Sequence, residues 1–201
     1  MPANRILMIV AAMVAVTAII IALVLVYGHG AQSAPSAGGG PGSSYLSKTE
    51  AQSLFGQGTY TSTGDANSTS LGQLVSTNVS TNDTTAFLYG NVTAYWQVMY
   101  NMSGAKMAIN GSEISPFAVE QVFETPVPRL IYAKMLGSSG SFNVTNSTTD
   151  GATYSYSQQG ITMNGTTFLV AYKSNEVSLV YVLGKQINAQ SLASAVAGDM
   201  P

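Results

Sequence analysis

A few groups in this 201-residue chain have side chains suited to acid–base or nucleophilic chemistry, and their spacing decides whether they could act together. Glu120 and Glu124 lie four apart. On a strand that puts them on one face about 13 Å apart, beyond the roughly 5–9.5 Å across which two carboxyls share a glycosidic bond. They read as a solvated edge. Asp83-Thr84-Thr85 and Asp150-Gly151-Ala152 each hold only part of the D-T-G turn that carries a catalytic aspartate. Ser47-Lys48 places a hydroxyl beside an amine, and Ser47 is better used as a helix cap. The single His29 sits among glycines, and there is no Cys. Zinc sites, thiol catalysis, iron–sulfur clusters and disulfides therefore lack their ligands. No phosphate-binding glycine motif occurs either. The expectation is a protein with no catalytic, cofactor or metal site.

What the sequence does repeat is N-x-S/T. Nine of these sequons occur, at Asn67, Asn78, Asn82, Asn91, Asn101, Asn110, Asn143, Asn146 and Asn164. Residues 45–201 hold 11 Asn, and 38 of those 157 residues are Ser or Thr. Random neighbours would yield about three sequons, so the excess points to N-glycosylation outside the cytoplasm. Only 8% of the chain is charged and the net charge is −2. No basic field exists to neutralise phosphates, which excludes nucleic acid as a partner. Tyr154 and Tyr156 alternate with serines on one face of a polar strand, the best sequence candidate for a contact patch.

These residues need a scaffold, and the chain divides into four parts. Residues 1–5 form a short stub ending in Arg5. Residues 6–27 carry no charge, and as a helix of roughly 33 Å they match a bilayer core of roughly 30 Å. The run is longer than the h-region of a cleaved signal, so an uncleaved transmembrane anchor is expected. Arg5 precedes the span, and the next Lys or Arg is Lys48, which places the amino terminus in the cytoplasm and the body outside. Residues 28–44, rich in Gly, Ser and Pro, read as a linker. Residues 45–201 have the size of one domain.

Within the body, Ser47-x-x-Glu50 predicts a capped helix ending at Gly56. Residues 58–85 read as turns and short extended pieces, with a helical turn around Leu71 to Val75. Residues 91–102 alternate with period two, Trp96 facing in and the odd positions, Asn91 and Asn101 among them, facing out. Asn110-Gly111 and Asn164-Gly165 predict hairpins, and residues 117–124 a further strand. Thr125-Pro126 predicts a helix with Val127, Leu130, Ile131 and Met135 on its packed face. Strands follow at 161–163, 166–173 and 177–183, then a closing helix over 188–200. Recurrence of Asn-Val-Thr and Asn-Gly-Ser/Thr just over 50 residues apart suggests a duplicated unit. The fold class is α+β: a transmembrane helix, then an antiparallel sheet with two or three helices packed on it.

This layout of span, tether and low-charge body full of sequons resembles membrane-anchored surface glycoproteins of archaea. It implies a single-pass cell-membrane protein, held in the lipid bilayer by residues 6–27, whose extracellular domain binds or scaffolds a surface protein or glycan. A small-ligand or lipid-binding accessory domain and a filament or surface-layer subunit are the other readings. So few ionisable groups also suggest a hot or acidic exterior and a stability indifferent to pH between 3 and 7.

Overall fold

In a computed structural model of the protein, residues 45–67, 91–104, 106–109, 112–138, 147–159 and 165–201 are described. The stub, the expected span at 6–27, the linker at 28–44 with His29, Asp83, the turn around Leu71 and the strand at 161–163 lie outside them. So do the sequon asparagines 78, 82, 110, 143, 146 and 164. Among the described residues no helix is long and apolar enough to cross a membrane.

The first helix, α1 (Lys48–Phe55), begins where its capping box requires. Ser47 Oγ accepts the Glu50 amide at 3.3 Å, and Glu50 Oε2 accepts the Ser47 amide at 2.9 Å. Two amides that the first turn leaves orphaned are thereby satisfied. Gly56 then ends the helix at φ 79°, a backbone state that an L side chain resists.

The strands are β1 (Gly58–Asn67), β2 (Ala94–Met102), β3 (Met107–Ile109), β4 (Ser112–Ile114), β5 (Phe117–Glu124), β6 (Ser147–Thr149), β7 (Ala152–Gln159), β8 (Thr166–Lys173) and β9 (Glu176–Leu183). Helix α2 (Pro128–Ser138) follows β5, and α3 (Ala189–Asp199) closes the fold. Seven strands form one antiparallel sheet in the order β1-β2-β5-β9-β8-β7-β6, while β3 and β4 pair separately. The described part of the body is therefore an antiparallel sheet with three helices, an α+β domain.

Both faces of the sheet are covered. On one, Tyr100, Ala118, Leu169 and Val180 pack with Phe55 of α1 and Leu192 and Val196 of α3. On the other, Phe123, Phe168, Val170 and Val177 meet Ile131, Tyr132 and Met135 of α2. Leu169 and Val170 are adjacent in β8, point to opposite faces and are both fully buried. Covering on both sides is why β8 and β9 read as almost continuous apolar runs rather than alternating ones.

Four sequence expectations change. Residues 58–67 form one ten-residue edge strand, with a register shift between Thr63 and Ala66, where turns and short extended pieces were expected. An edge strand pairs through its backbone on one side, so it needs no apolar alternation. Helix α2 starts at Pro128 rather than Pro126, because Thr125 Oγ1 accepts the Val127 amide and donates to Asn91 O, holding Pro126 in the turn. Leu130 consequently lies 47% exposed, off the face defined by Ile131 and Met135. The odd positions of β2 do not all face solvent: Asn101 is exposed, but Gln97 is buried and accepts Gln121 Nε2 at 2.9 Å. The duplication does not extend to three dimensions: β3 and β4 pair apart from the main sheet whereas β7 and β8 lie within it, and the helices that follow β5 and β9 cover opposite faces.

Candidate functional site: a carboxyl cluster beneath the first helix

Glu120 is the one carboxylate in the centre of the sheet. It sits in β5 between Val98 of β2 and Val180 of β9, and is 3% exposed. Its Oε2 accepts the Leu46 amide at 2.7 Å and its Oε1 accepts Ser178 Oγ at 2.8 Å. The buried carboxylate thus ties the segment leading into α1 to the middle of the sheet. Tyr60 donates to Leu46 O at 3.1 Å, and Tyr100 donates to Gly56 O at 2.5 Å, so both ends of the helix are held. Phe55 and Tyr100 rings meet at 5.8 Å.

Two more carboxyls border this contact. Asp199, the last residue of α3, lies near the carboxyl of Glu50 on α1. Its Oδ2 is buried with no hydrogen-bond partner. Burial, then the nearby Glu50 carboxyl, push Asp199 up to about 7. Burial likewise pushes Glu120 up to about 7, against the pull of its bonds to Leu46 and Ser178 and with help from the charges of Asp199 and Glu50. Tyr60 is driven upward too, mainly by burial.

The cavity against Glu120, walled by Leu46, Phe55, Val98 and Tyr100 among others, has a volume of about 10 Å³. That is the space of roughly one water, so it admits no organic ligand. Among the described residues no group of three or more His, Asp or Glu side chains could hold a metal. Among the described residues, the cluster encloses space for about one water beside Glu120.

The sequence candidates are scattered by comparison. Glu124 accepts Asn175 Nδ2 at 3.1 Å at the end of β5, while Glu120 is interior, so the expected solvated edge is corrected at Glu120. Asp150 and Gly151 form the two-residue turn between β6 and β7, both at positive φ, which explains the fragment of motif as turn chemistry. Tyr154 is 4% exposed, packed under α3, with Tyr156 partly buried and stacked 6.4 Å from it. The expected contact patch is therefore core, because α3 covers that face of β7. Of the sequon residues within the described part, Asn101 is exposed at the end of β2, Asn91 is half-buried before it, and Asn67 ends β1.

Reading the sequence missed the carboxyl cluster. Its one local signal is Glu120 among the apolar residues of Phe-Ala-Val-Glu-Gln-Val-Phe-Glu, a strand too apolar on both faces to be an edge. The approach of Glu50 to Asp199 spans nearly the whole domain and leaves no local trace.

No protein-family model matches the chain, and no curated protein matches it. Among solved structures, the extracellular domain of PknH from Mycobacterium tuberculosis is similar at 14% identity, over 79% of this chain and 91% of that one, with a TM-score of 0.47.

Proposed function

We propose that this protein is a single-pass, membrane-anchored extracellular glycoprotein whose body binds or scaffolds without catalysing. The observation that carries the reading is Asn101. Its backbone is paired on both sides, to Thr59 of β1 and Phe117 of β5, yet its side chain and that of Ser103, the hydroxyl residue of its sequon, stay exposed. A folded sheet thus still presents this sequon to solvent, as a glycan requires. The non-catalytic part is supported by how the ionisable groups are used. Lys173 closes α3 through Ala197 O and Met200 O at 3.2 and 2.8 Å, Lys106 meets Glu113 at 3.4 Å, and Glu120 is absorbed by packing. A ligand-binding reading gains nothing from the cavity beside Glu120.

An epitope tag fused after Pro201 tests the topology. Intact cells should bind the anti-tag antibody, and a mild external protease should abolish that binding. A tag reached only after the membrane is permeabilised would overturn the proposed orientation.

A further inference from the structure

Across the β2–β5 pair from Asn101 stands Phe117, half-buried, its ring 6.1 Å from that of Tyr181 and inclined to it by 51°. Register partners on neighbouring strands share a face of the sheet, so Asn101 and Phe117 emerge side by side. We propose that Phe117 and Tyr181 form a platform on which the first sugar of an Asn101 glycan packs, so that the glycan stabilises the sheet as well as covering it. This rests on the reading of Asn101 as an occupied glycosylation site.

Register decides which way the sugar leans. Met102 donates its amide to Pro116 O at 2.9 Å, which makes residues 102 and 116 a hydrogen-bonded pair and Asn101 with Phe117 the non-hydrogen-bonded pair beside it. In such a pair facing side chains stand closest, with Cβ atoms about 4.5–5.5 Å apart. On the other flank Ser103 donates to Gln57 O at 2.7 Å, so Asn101 and Thr59 form the wider, hydrogen-bonded kind of pair, and Thr59 is short, polar and exposed. The apolar flank is therefore the β5 side. Tyr181 lies opposite Val119, diagonal to Phe117, and extends the aromatic surface towards β9. Helix α2 covers the far end of this face, around Phe123, Val177 and Leu179, and among the described residues Phe117 belongs to neither apolar core. A half-buried ring is thus left beside an exposed asparagine.

A pyranose suits such a surface. One face of the sugar ring presents C–H groups of slight positive charge, and the face of an aromatic ring is negative. Stacking the two removes apolar area from water on both, while the hydroxyls at the sugar's edge stay hydrated. The bond from Asn101 Nδ2 to the sugar makes the contact intramolecular, so it forms without the loss of translational freedom that a separate ligand would suffer. An aromatic contact of this kind raises the folding equilibrium constant roughly threefold to tenfold.

A double-mutant cycle on the full chain, expressed in its source cells and held in detergent micelles, reads the coupling between sugar and ring. Ser103→Ala removes the sequon hydroxyl but keeps Asn101 and the backbone bond to Gln57 O. Phe117→Leu removes the ring but keeps an apolar side chain. In urea unfolding followed by Trp96 fluorescence, Ser103→Ala should lower the folding equilibrium constant roughly threefold to tenfold with Phe117 present and less than about twofold in Phe117→Leu. Equal losses in the two backgrounds, with the Asn101 peptide glycosylated in the parent chain, overturn the platform and leave the glycoprotein reading standing. An unmodified Asn101 in the parent overturns both. Should Phe117→Leu not fold, ring-current upfield shifts of the first sugar's C–H protons in the parent decide, and their absence overturns the platform.

Discussion

Heated in detergent micelles, the full chain is expected to unfold at a temperature roughly 5–10 °C lower at pH 8 than at pH 4.5. The reason is Glu120, which is raised to about 7 in the fold from an ordinary value near 4.5. Between those values the native state keeps a proton that the unfolded chain has released. Stability is therefore complete below about pH 4, falls as pH rises through 7, and is flat beyond. For a fully buried carboxyl a shift of this size corresponds to roughly 3 kcal/mol. Asp199 acts in the same direction but contributes less, because water screens its partly exposed carboxyl. Trp96, the only Trp in the sequence and 4% exposed in β2, reports the transition by fluorescence. Glu120→Gln should flatten the dependence, and a midpoint that stays level or climbs between pH 4.5 and 8 would contradict it. The scarcity of charge had suggested indifference to pH. At Glu120 the cost of burial instead outweighs the two hydrogen bonds that favour its charge.

Leu192→Ala is expected to cost about 2–5 kcal/mol, a range set by how far the site collapses. Leu192 is completely buried where α3 meets the sheet, in the same cluster as Phe55, Leu169 and Val196. Leu130→Ala provides the contrast. With Leu130 47% exposed on α2, its loss should change stability by less than about 0.5 kcal/mol. Urea midpoints of the two variants against the parent chain measure the difference. Equal losses would mean that α2 and α3 are seated otherwise than described.

Where local physics decides, the sequence was readable. The capping box of α1, the Asn188 cap of α3, the strand over 117–124 and the inward Trp96 were all legible from neighbours a few residues apart. Asn188 Oδ1 accepts the Ser191 amide at 3.0 Å as its position implied. The losses came where partners are distant. Gln97 and Tyr154 look like outward polar-strand residues until helices and neighbouring strands cover both faces. The edge strand β1 has a composition of turns because it draws its stability from the backbone of β2. Glu120 looked like part of a solvated edge, because alternation alone cannot distinguish a central strand covered on both sides from an exposed one. Its partners Leu46 and Ser178 are 74 and 58 residues away, and no spacing rule connects them.

The central claim is that this low-charge body stands outside the cell and is dressed in sugar. The most direct measurement is the intact mass of the full chain purified from its source cells, before and after enzymatic or chemical removal of N-linked glycans, with the peptide containing Asn101 sequenced. An exterior glycoprotein should show a mass above that of the polypeptide that collapses on glycan removal, with Asn101 among the occupied sites. A mass equal to the bare polypeptide, with Asn101 unmodified, would contradict the claim.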